Sequence, residues 1–390
     1  MKILHICVTG PYTDGFNYQE NMLTKCQTKA GHEVYIIASQ WEWSKGGKIE
    51  KHKGDSGYVN ADGVCVKRLP IKGDKDVFYR YKRFLGFYNE LEKIEPEVIF
   101  VHNLQFFDID RIAKYAKTHS VKIFADNHAD FSNSARSKLA VVFYKTVWRH
   151  MAQMIEPYVT RFYGVLPARV DFLKDIYKLP TEKCELLVMG ADDEEVERAG
   201  TIENQQKVRN DLEIAKDDFL IVTGGKIDEW KTQTLLLMDA VKKIDNDKVK
   251  LLIFGPVSEG IKAKFDDIFD KQKMRYISWA NTKQSYDCFA IADLVVFPGR
   301  HSVYWEQAAG QGKPMICKYW KGTTHIDVGG NVIFMKKDDI SEITSILEDI
   351  IHDRNKYNIM KNVAESKAMH EYSYMSISRK VTEYRRIKEV

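Results

Sequence analysis

Ala292-Asp-Leu-Val-Val-Phe-Pro-Gly-Arg-His-Ser-Val-Tyr-Trp-Glu-Gln-Ala-Ala-Gly-Gln-Gly-Lys-Pro-Met-Ile-Cys317 reads as strand, polar loop, short helix and strand. Residues Ile291 to Phe297 form a compact apolar run of the buried-strand kind, and Pro298 stops it. Gly299-Arg300-His301 makes a polar turn, and Ser302 is placed to cap a helix beginning at Val303. Gly310, Gly312 and Pro314 end that helix before Met315-Ile-Cys317 opens the next strand. A helix start facing a Gly-Arg-His loop, at the carboxyl end of a strand, suits an anion. Backbone N–H groups and the positive end of the helix dipole point the same way.

The same alternation extends outward from this stretch. Upstream, residues 219–223, 250–254 and 275–278 read as strands, separated by helical stretches at 232–244, 260–271 and 283–292; downstream, 332–335 is a strand and 340–352 and 355–367 are helices. The first half repeats the pattern. Its strand candidates are 3–8, 33–38, 98–102, 121–125, 162–165 and 184–188, and its helices are 18–30, 77–94, 138–158 and 171–177. Between the halves, Asp192–Gly200 and Glu203–Gln206 are highly charged and read as a linker. The expectation is an α/β protein of two Rossmann-like, doubly wound domains facing a cleft, at 1–195 and 196–370. A tail, 371–390, returns to the first domain. Ligands in such sheets sit beyond the carboxyl ends of the strands.

A chain of 390 residues with 44% apolar and 29% charged residues has an ordinary globular composition and room for two cores. No apolar run approaches the roughly 20 residues that span a bilayer. Lys2 to Val8 is too short for a signal peptide and has His5 inside it. The six cysteines are scattered with no Cys-x-x-Cys pair, which argues against structural zinc and a disulfide framework and for a reducing cytoplasm. Charge is uneven: the first 180 residues carry 27 Lys and Arg against 20 Asp and Glu. Lys82-Arg83 and Arg136-x-Lys138 lie among aromatic and aliphatic residues, which suits either a solvated helix face or peripheral contact with an anionic membrane. No nucleic-acid motif accompanies the charge.

Four segments together resemble the GT-B glycosyltransferases, specifically the retaining family 4. They are the N-terminal strand and loop with Tyr18–Lys25 and Ala30–Val34, then Val222-Thr-Gly-Gly-Lys-Ile-Asp-Glu-Trp-Lys231. Leu251–Gly255 with Ala290–Asp293 and the opening stretch complete the set. The resemblance implies a metal-independent enzyme with no cofactor beyond its co-substrate, a nucleotide-diphosphate sugar, UDP-sugar being expected. It implies a glycan or polyprenyl-linked acceptor in surface polysaccharide assembly. Lys226 and Lys231 match the two cations that hold the donor diphosphate, and two ammonium groups there would neutralise a departing diphosphate. Gly225 permits close backbone approach. His128 matches the N-terminal-domain His near the reacting sugar. Asp126 and Asp130 flank it, to orient it or meet the acceptor, and His102 and Asn103 end the preceding strand facing the cleft. Gly15 remains from the family's glycine-rich loop.

The opening stretch departs from the family's Glu, seven residues, Glu pattern. Anchored on Gly312-Lys-Pro314, the second Glu falls on Gln307 and the first on Gly299. Either Gln307 or Glu306 is then the ribose contact, Glu306 otherwise being a solvated helix residue. Arg300 and His301 inherit the donor-sugar contact, and the amides of Ser302, Val303 and Tyr304 face phosphate. Asp108-Ile-Asp110 reads as helix N-capping rather than a metal site. A missing carboxylate at Gly299 also fits a catalytically inert GT-B homologue acting as a partner subunit; a sugar-nucleotide epimerase shares the fold as well.

Overall fold

A computed structural model describes residues 1–44, 47–72 and 82–383. The chain divides into two compact units. The first comprises Met1–Val188 and the segment from Ile377 on; the second is Met189–Ser376. The expected boundaries at 195/196 and 370/371 lie six or seven residues away.

Among the described residues, ten strands belong to the first unit: β1 (Lys2–Cys7), β2 (Glu33–Ser39), β3 (Trp41–Trp43), β4 (Ile49–Lys51), β5 (Gly57–Val59), β6 (Cys65–Leu69), β7 (Val98–His102), β8 (Lys122–Asn127), β9 (Val159–Gly164) and β10 (Cys184–Leu186). Eight of them form one sheet in the order β10-β9-β8-β7-β1-β2-β6-β5, and β3 pairs with β4 separately. Pairing is parallel throughout the large sheet except at β5–β6. The chain builds outward from β1 in one direction through β2 and then returns to β7 on its other flank. That reversal leaves a crevice between the carboxyl ends of β1 and β7.

Six strands make the second sheet: β11 (Phe219–Gly224), β12 (Val249–Phe254), β13 (Met274–Ile277), β14 (Leu294–Phe297), β15 (Met315–Lys318) and β16 (Val332–Met335). Their order is β13-β12-β11-β14-β15-β16, all parallel. Here the reversal falls between β11 and β14, so the loops after those two strands flank the crevice. Both sheets are covered by helices, which is why a central strand such as β14 reads as an unbroken apolar run. Each unit has its own core, around Ile6, Val101 and Phe162 in one and Leu251, Leu294 and Leu347 in the other.

The supposed linker is helical. Asp192 caps Asp193–Gly200 by accepting from the Glu194 N–H, and Thr201 caps Ile202–Asp211 by accepting from Asn204. Three acidic residues in the first turn of the former suit the positive end of the dipole. Charge density here marks two capped surface helices rather than a tether. The expected helix at 77–94 is observed as Phe87–Ile94; its first part lies outside the described residues, as does the end of the 371–390 tail.

Candidate functional site: two clusters at the carboxyl ends of the sheets

In the second unit, Thr223, Gly224, Gly225, Lys226, Lys231 and Thr234 come from β11 and its following loop and helix. They line one pocket with Phe297, Pro298, Gly299, Arg300 and Ser302 from β14 and its loop. The two stretches singled out in the sequence thus meet at the strand-order reversal. The glycines serve different ends. A Cβ at Gly224 would stand 2.1 Å from the Phe254 ring, whereas Gly225 has φ +127° and nothing within 4 Å of where a Cβ would be. Gly224 is required by packing; Gly225 supplies a left-handed backbone beside open space. Asp228 organises the turn. Its carboxylate pairs with the Lys226 ammonium at 3.2 Å and accepts from the Trp230 N–H at 3.0 Å, while its carbonyl accepts from Lys231 N–H at 2.9 Å. Burial would raise the Asp228 pKa, but Lys226, that N–H and Lys231 together hold it below the usual value.

The loop after β14 corrects several expectations. Ser302 makes no side-chain cap. The helix spans Tyr304–Gly310 with Val303 at its cap position in helical geometry, and two turns give only a weak dipole. Ser302 stays at the pocket wall, Val303 is exposed, and the Tyr304 ring packs edge-on against Phe254 and Phe289. The groups at this pocket suited to an anion are therefore side-chain cations rather than a helix start. Arg300 is exposed, its guanidinium 5.8 Å from the centre of the Trp320 ring.

Glu306 is neither solvated nor free to meet a ribose. It is fully buried, and its Oε1 accepts from His301 Nε2 at 2.7 Å and from His325 Nε2 at 2.9 Å. Burial would raise its pKa, but the two imidazoles outweigh that and bring it to about 2. Glu306 Oε2 and His325 Nδ1 are buried without hydrogen-bond partners. His325 was not foreseen; its cue was a lone His in the polar Gly322-Thr-Thr-His325 loop. Gln307 is also buried, and its Nε2 donates to Ser285 Oγ at 2.9 Å, so the ribose contact expected of position 306 or 307 is served by neither surface. His301, Glu306 and His325 are metal-ligand residue types with donor atoms within 4.8 Å of one another, and the hydrogen bonds among them account for that closeness.

In the first unit, His128 follows β8. Its N–H donates to Asn103 Oδ1 at 2.9 Å, its carbonyl accepts from Asn133 Nδ2 at 2.7 Å, and its Nε2 lies 3.4 Å from Asp126 Oδ2. Burial would lower the His128 pKa, but the Asp126 carboxylate outweighs it and the net shift is upward. Asn103 has φ +66°, a conformation its short carboxamide tolerates better than most side chains. From there its N–H donates to Asp126 Oδ1 at 2.9 Å. Asp126 is fully buried and His102 only 4% exposed, so neither can meet an acceptor directly; His102 Nδ1 donates to Asp126 Oδ2 at 2.8 Å. Asp130 turns inward as well, accepting from Ser132 and Asn133 N–H groups and from Arg169 Nε. Gly15, at φ +73° with open space around it, lies in the loop after β1, next to Asp14, which accepts from Tyr12, Tyr58 and Asn60.

The basic pairs divide. Lys82 Nζ donates to the Thr9 carbonyl, and Arg83 pairs with Asp108 and Asp110, so this pair serves internal contacts. Asp108 stands at the N-cap position of Ile109–Thr118 without capping it; its carboxylate takes the Phe84 N–H and the two arginines Arg83 and Arg111 instead. The helical run from Lys138 is different. Leu139 is 84% exposed, and Val142 and Phe143 also face solvent, near Lys138 and Lys145. Among the described residues no helix is long and apolar enough to cross a membrane.

No family model and no curated protein sequence matches the chain. Solved structures do. Anabaena HepE in complex with UDP aligns over 98% of this chain and 99% of its own, with TM-score 0.68 and 13% identity. A glycosyltransferase from Rickettsia africae aligns over 98% and 97%, with TM-score 0.69 and 13% identity. UDP-GlcNAc 2-epimerase from Neisseria meningitidis, bound to UDP-GlcNAc, aligns over 98% and 99%, with TM-score 0.61 and 11% identity. At such identities the likeness is one of fold: two Rossmann-like α/β domains of the GT-B type.

Proposed function

We propose that the chain is a retaining, metal-independent glycosyltransferase of the family 4 kind. It would transfer a sugar from a UDP-sugar to a lipid-linked glycan in surface polysaccharide assembly. The observation that carries this reading is the pocket between β11 and β14, where Lys226, Lys231 and Arg300 converge on the open backbone at Gly225. Three cations around an approachable backbone suit a diphosphate. Charge that develops on it as the glycosidic bond breaks would be met by groups already in place, without reorganisation. Glu306 holds His301 by one ring nitrogen, and the other is left to direct the sugar. In the first unit, His128 offers a hydrogen bond to a sugar hydroxyl or phosphate oxygen. That HepE and the epimerase were solved with UDP or UDP-GlcNAc supports uracil as the base. The exposed Leu139, Val142 and Phe143 beside Lys138 and Lys145 support an acceptor presented at an anionic bilayer.

Calorimetric titration with nucleoside diphosphates, followed by turnover assays with the matching sugar nucleotides, tests the reading. Lys231→Ala is expected to lower kcat/KM by about 100-fold, the scale of one lost transition-state charge contact; unchanged turnover would remove the diphosphate role. Conversion of donor without acceptor would identify an epimerase, and UDP binding without any turnover an inert partner subunit.

A further inference from the structure

Behind His128 runs a line of buried polar groups that starts in the helix Gln19–Lys29 and passes through the first sheet. The Gln27 carboxamide meets His5 Nε2 at 2.7 Å, His5 Nδ1 meets His102 Nε2 at 2.9 Å, and His102 Nδ1 meets Asp126 Oδ2 at 2.8 Å. The same Asp126 oxygen lies 3.4 Å from His128 Nε2. Gln27 and His5 are fully buried, and His5 stacks on Phe100 with ring centres 5.4 Å apart. Placing such groups in an apolar sheet is costly unless each is satisfied. A line that ends one contact short of a half-exposed imidazole calls for an explanation beyond packing.

We propose that His102 is a positioning residue for His128, acting through Asp126, and that His5 and Gln27 set which protons His102 carries. This rests on the role given to His128 above. An ionised Asp126 can only accept, so His102 Nδ1 carries a proton, and so does the His128 nitrogen that shares Oδ2. His128 is thereby held with Nε2–H toward Asp126, leaving Nδ1 as the ring atom for a substrate oxygen. One proton lies between His5 Nδ1 and His102 Nε2. With the Gln27 oxygen facing His5, as here, His5 carries its proton on Nε2 and accepts at Nδ1 from His102, which then holds a proton on each ring nitrogen; with the Gln27 NH2 turned in, His5 donates from Nδ1 and His102 keeps only the proton it gives Asp126. Burial and the neighbouring His102 push the His5 pKa down to about 3, so His5 passes on this choice as a neutral ring. The charged groups that bear on His128 are Asp126, Glu20 from helix Gln19–Lys29 and Arg169 from helix Pro167–Asp175.

The test is ring-nitrogen NMR of histidine-labelled full-length protein, reading the tautomer and titration midpoint of His128, alongside the pH profile of kcat/KM. The two amide replacements of His102 divide its functions. Asn puts an N–H near the position of Nδ1, keeping the bond to Asp126, whereas Gln reaches the position of Nε2 and loses it. Asp126→Asn should lower the His128 midpoint by about one unit or more, the scale of a lost adjacent carboxylate, and move the alkaline limb of the profile down with it. His102→Gln should shift the midpoint by well over about 0.3 unit, because Asp126 loses the donor that fixes it, and His102→Asn should leave it within about 0.3 unit of the parent, well under the scale of a lost carboxylate. An unchanged midpoint in Asp126→Asn or in a folded His102→Gln overturns the proposal. So does a fall in His102→Asn as large as in Asp126→Asn, which decides the matter even if the Gln variant does not fold. The NMR arms need no substrate. Absence of transfer with these midpoints as expected would count against the proposed function alone.

Discussion

Each unit buries one carboxylate between two imidazoles, and the two clusters are built differently. Asp126 accepts from His102, lies beside His128, and spends its second oxygen on the Asn103 N–H. Glu306 takes both His301 and His325 on a single oxygen and leaves the other unpartnered. Behind His102 the network continues to His5 and Gln27, whereas behind His325 it stops at an unpartnered Nδ1. A carboxylate saturated by its surroundings fixes a direction. One with spare acceptor capacity in a closed space draws its stability from its two partners, and losing either leaves a bare buried charge.

That contrast can be broken experimentally, most forcefully at Glu306. Glu306→Ala is expected to cost about 3–5 kcal/mol in urea denaturation, because both imidazoles lose their shared acceptor and a cavity opens. A cost of surface size, about 0.5 kcal/mol or less, would mean the clasp is incidental. Acid stability is the next lever. The folded pKa of Glu306 is depressed, so the stabilisation it contributes is complete above its ordinary value of 4.5 and disappears as pH falls through about 2. In that window the parent should lose on the order of a few kcal/mol that Glu306→Gln does not lose. Parallel slopes for the two proteins would contradict the linkage. A smaller effect belongs to Lys226, which is 61% exposed and already paired with Asp228. Lys226→Ala should weaken UDP binding by about 1 kcal/mol, or five- to tenfold, less than Lys231→Ala does; the reverse ranking would reassign the two lysines. Least of all, Gly299→Ala should change stability by under about 0.5 kcal/mol. A Cβ there meets only Gln233 Oε1 at 3.5 Å, so a large loss would show that the backbone at Gly299 is needed as glycine.

Strands were legible because mostly apolar residues fit beneath helical layers: Val98–His102 in the sheet interior and Val332–Met335 at a sheet edge were read with their observed limits. The alternation of elements implied parallel, doubly wound sheets but not their strand order; the donor-side placing of Lys226, Lys231 and Arg300, which line one pocket, came from the family resemblance. Short strands such as Gly57–Val59, with exposed ends and little apolar content, left no periodic trace. Residues 192–206 misled because charge density alone does not separate a capped surface helix from a linker. Partners of buried polar groups were the largest omission. His5 was read as part of a strand, yet a His in the middle of an apolar run already implies a buried partner. Which partner it is, Gln27 at one ring nitrogen and His102 at the other, depends on contacts 22 and 97 residues away. Glu306 failed for a related reason: the helix starts at Tyr304 rather than Val303, and the side chain turns inward to His301 and to His325, the latter 19 residues away.

The entry and exit of the second unit run side by side. Ala191 N–H donates to the Tyr372 carbonyl at 2.8 Å and Tyr374 N–H returns a bond to the Ala191 carbonyl at 3.2 Å, while Asp193 accepts from Ser373 Oγ and the Met375 N–H. A module whose ends leave it together, stitched by its own backbone, is topologically an insertion. It can be lifted out or exchanged without rethreading the sheet that carries it. Residues 189–376 thus form a natural cassette, and the pocket between β11 and β14 travels with it.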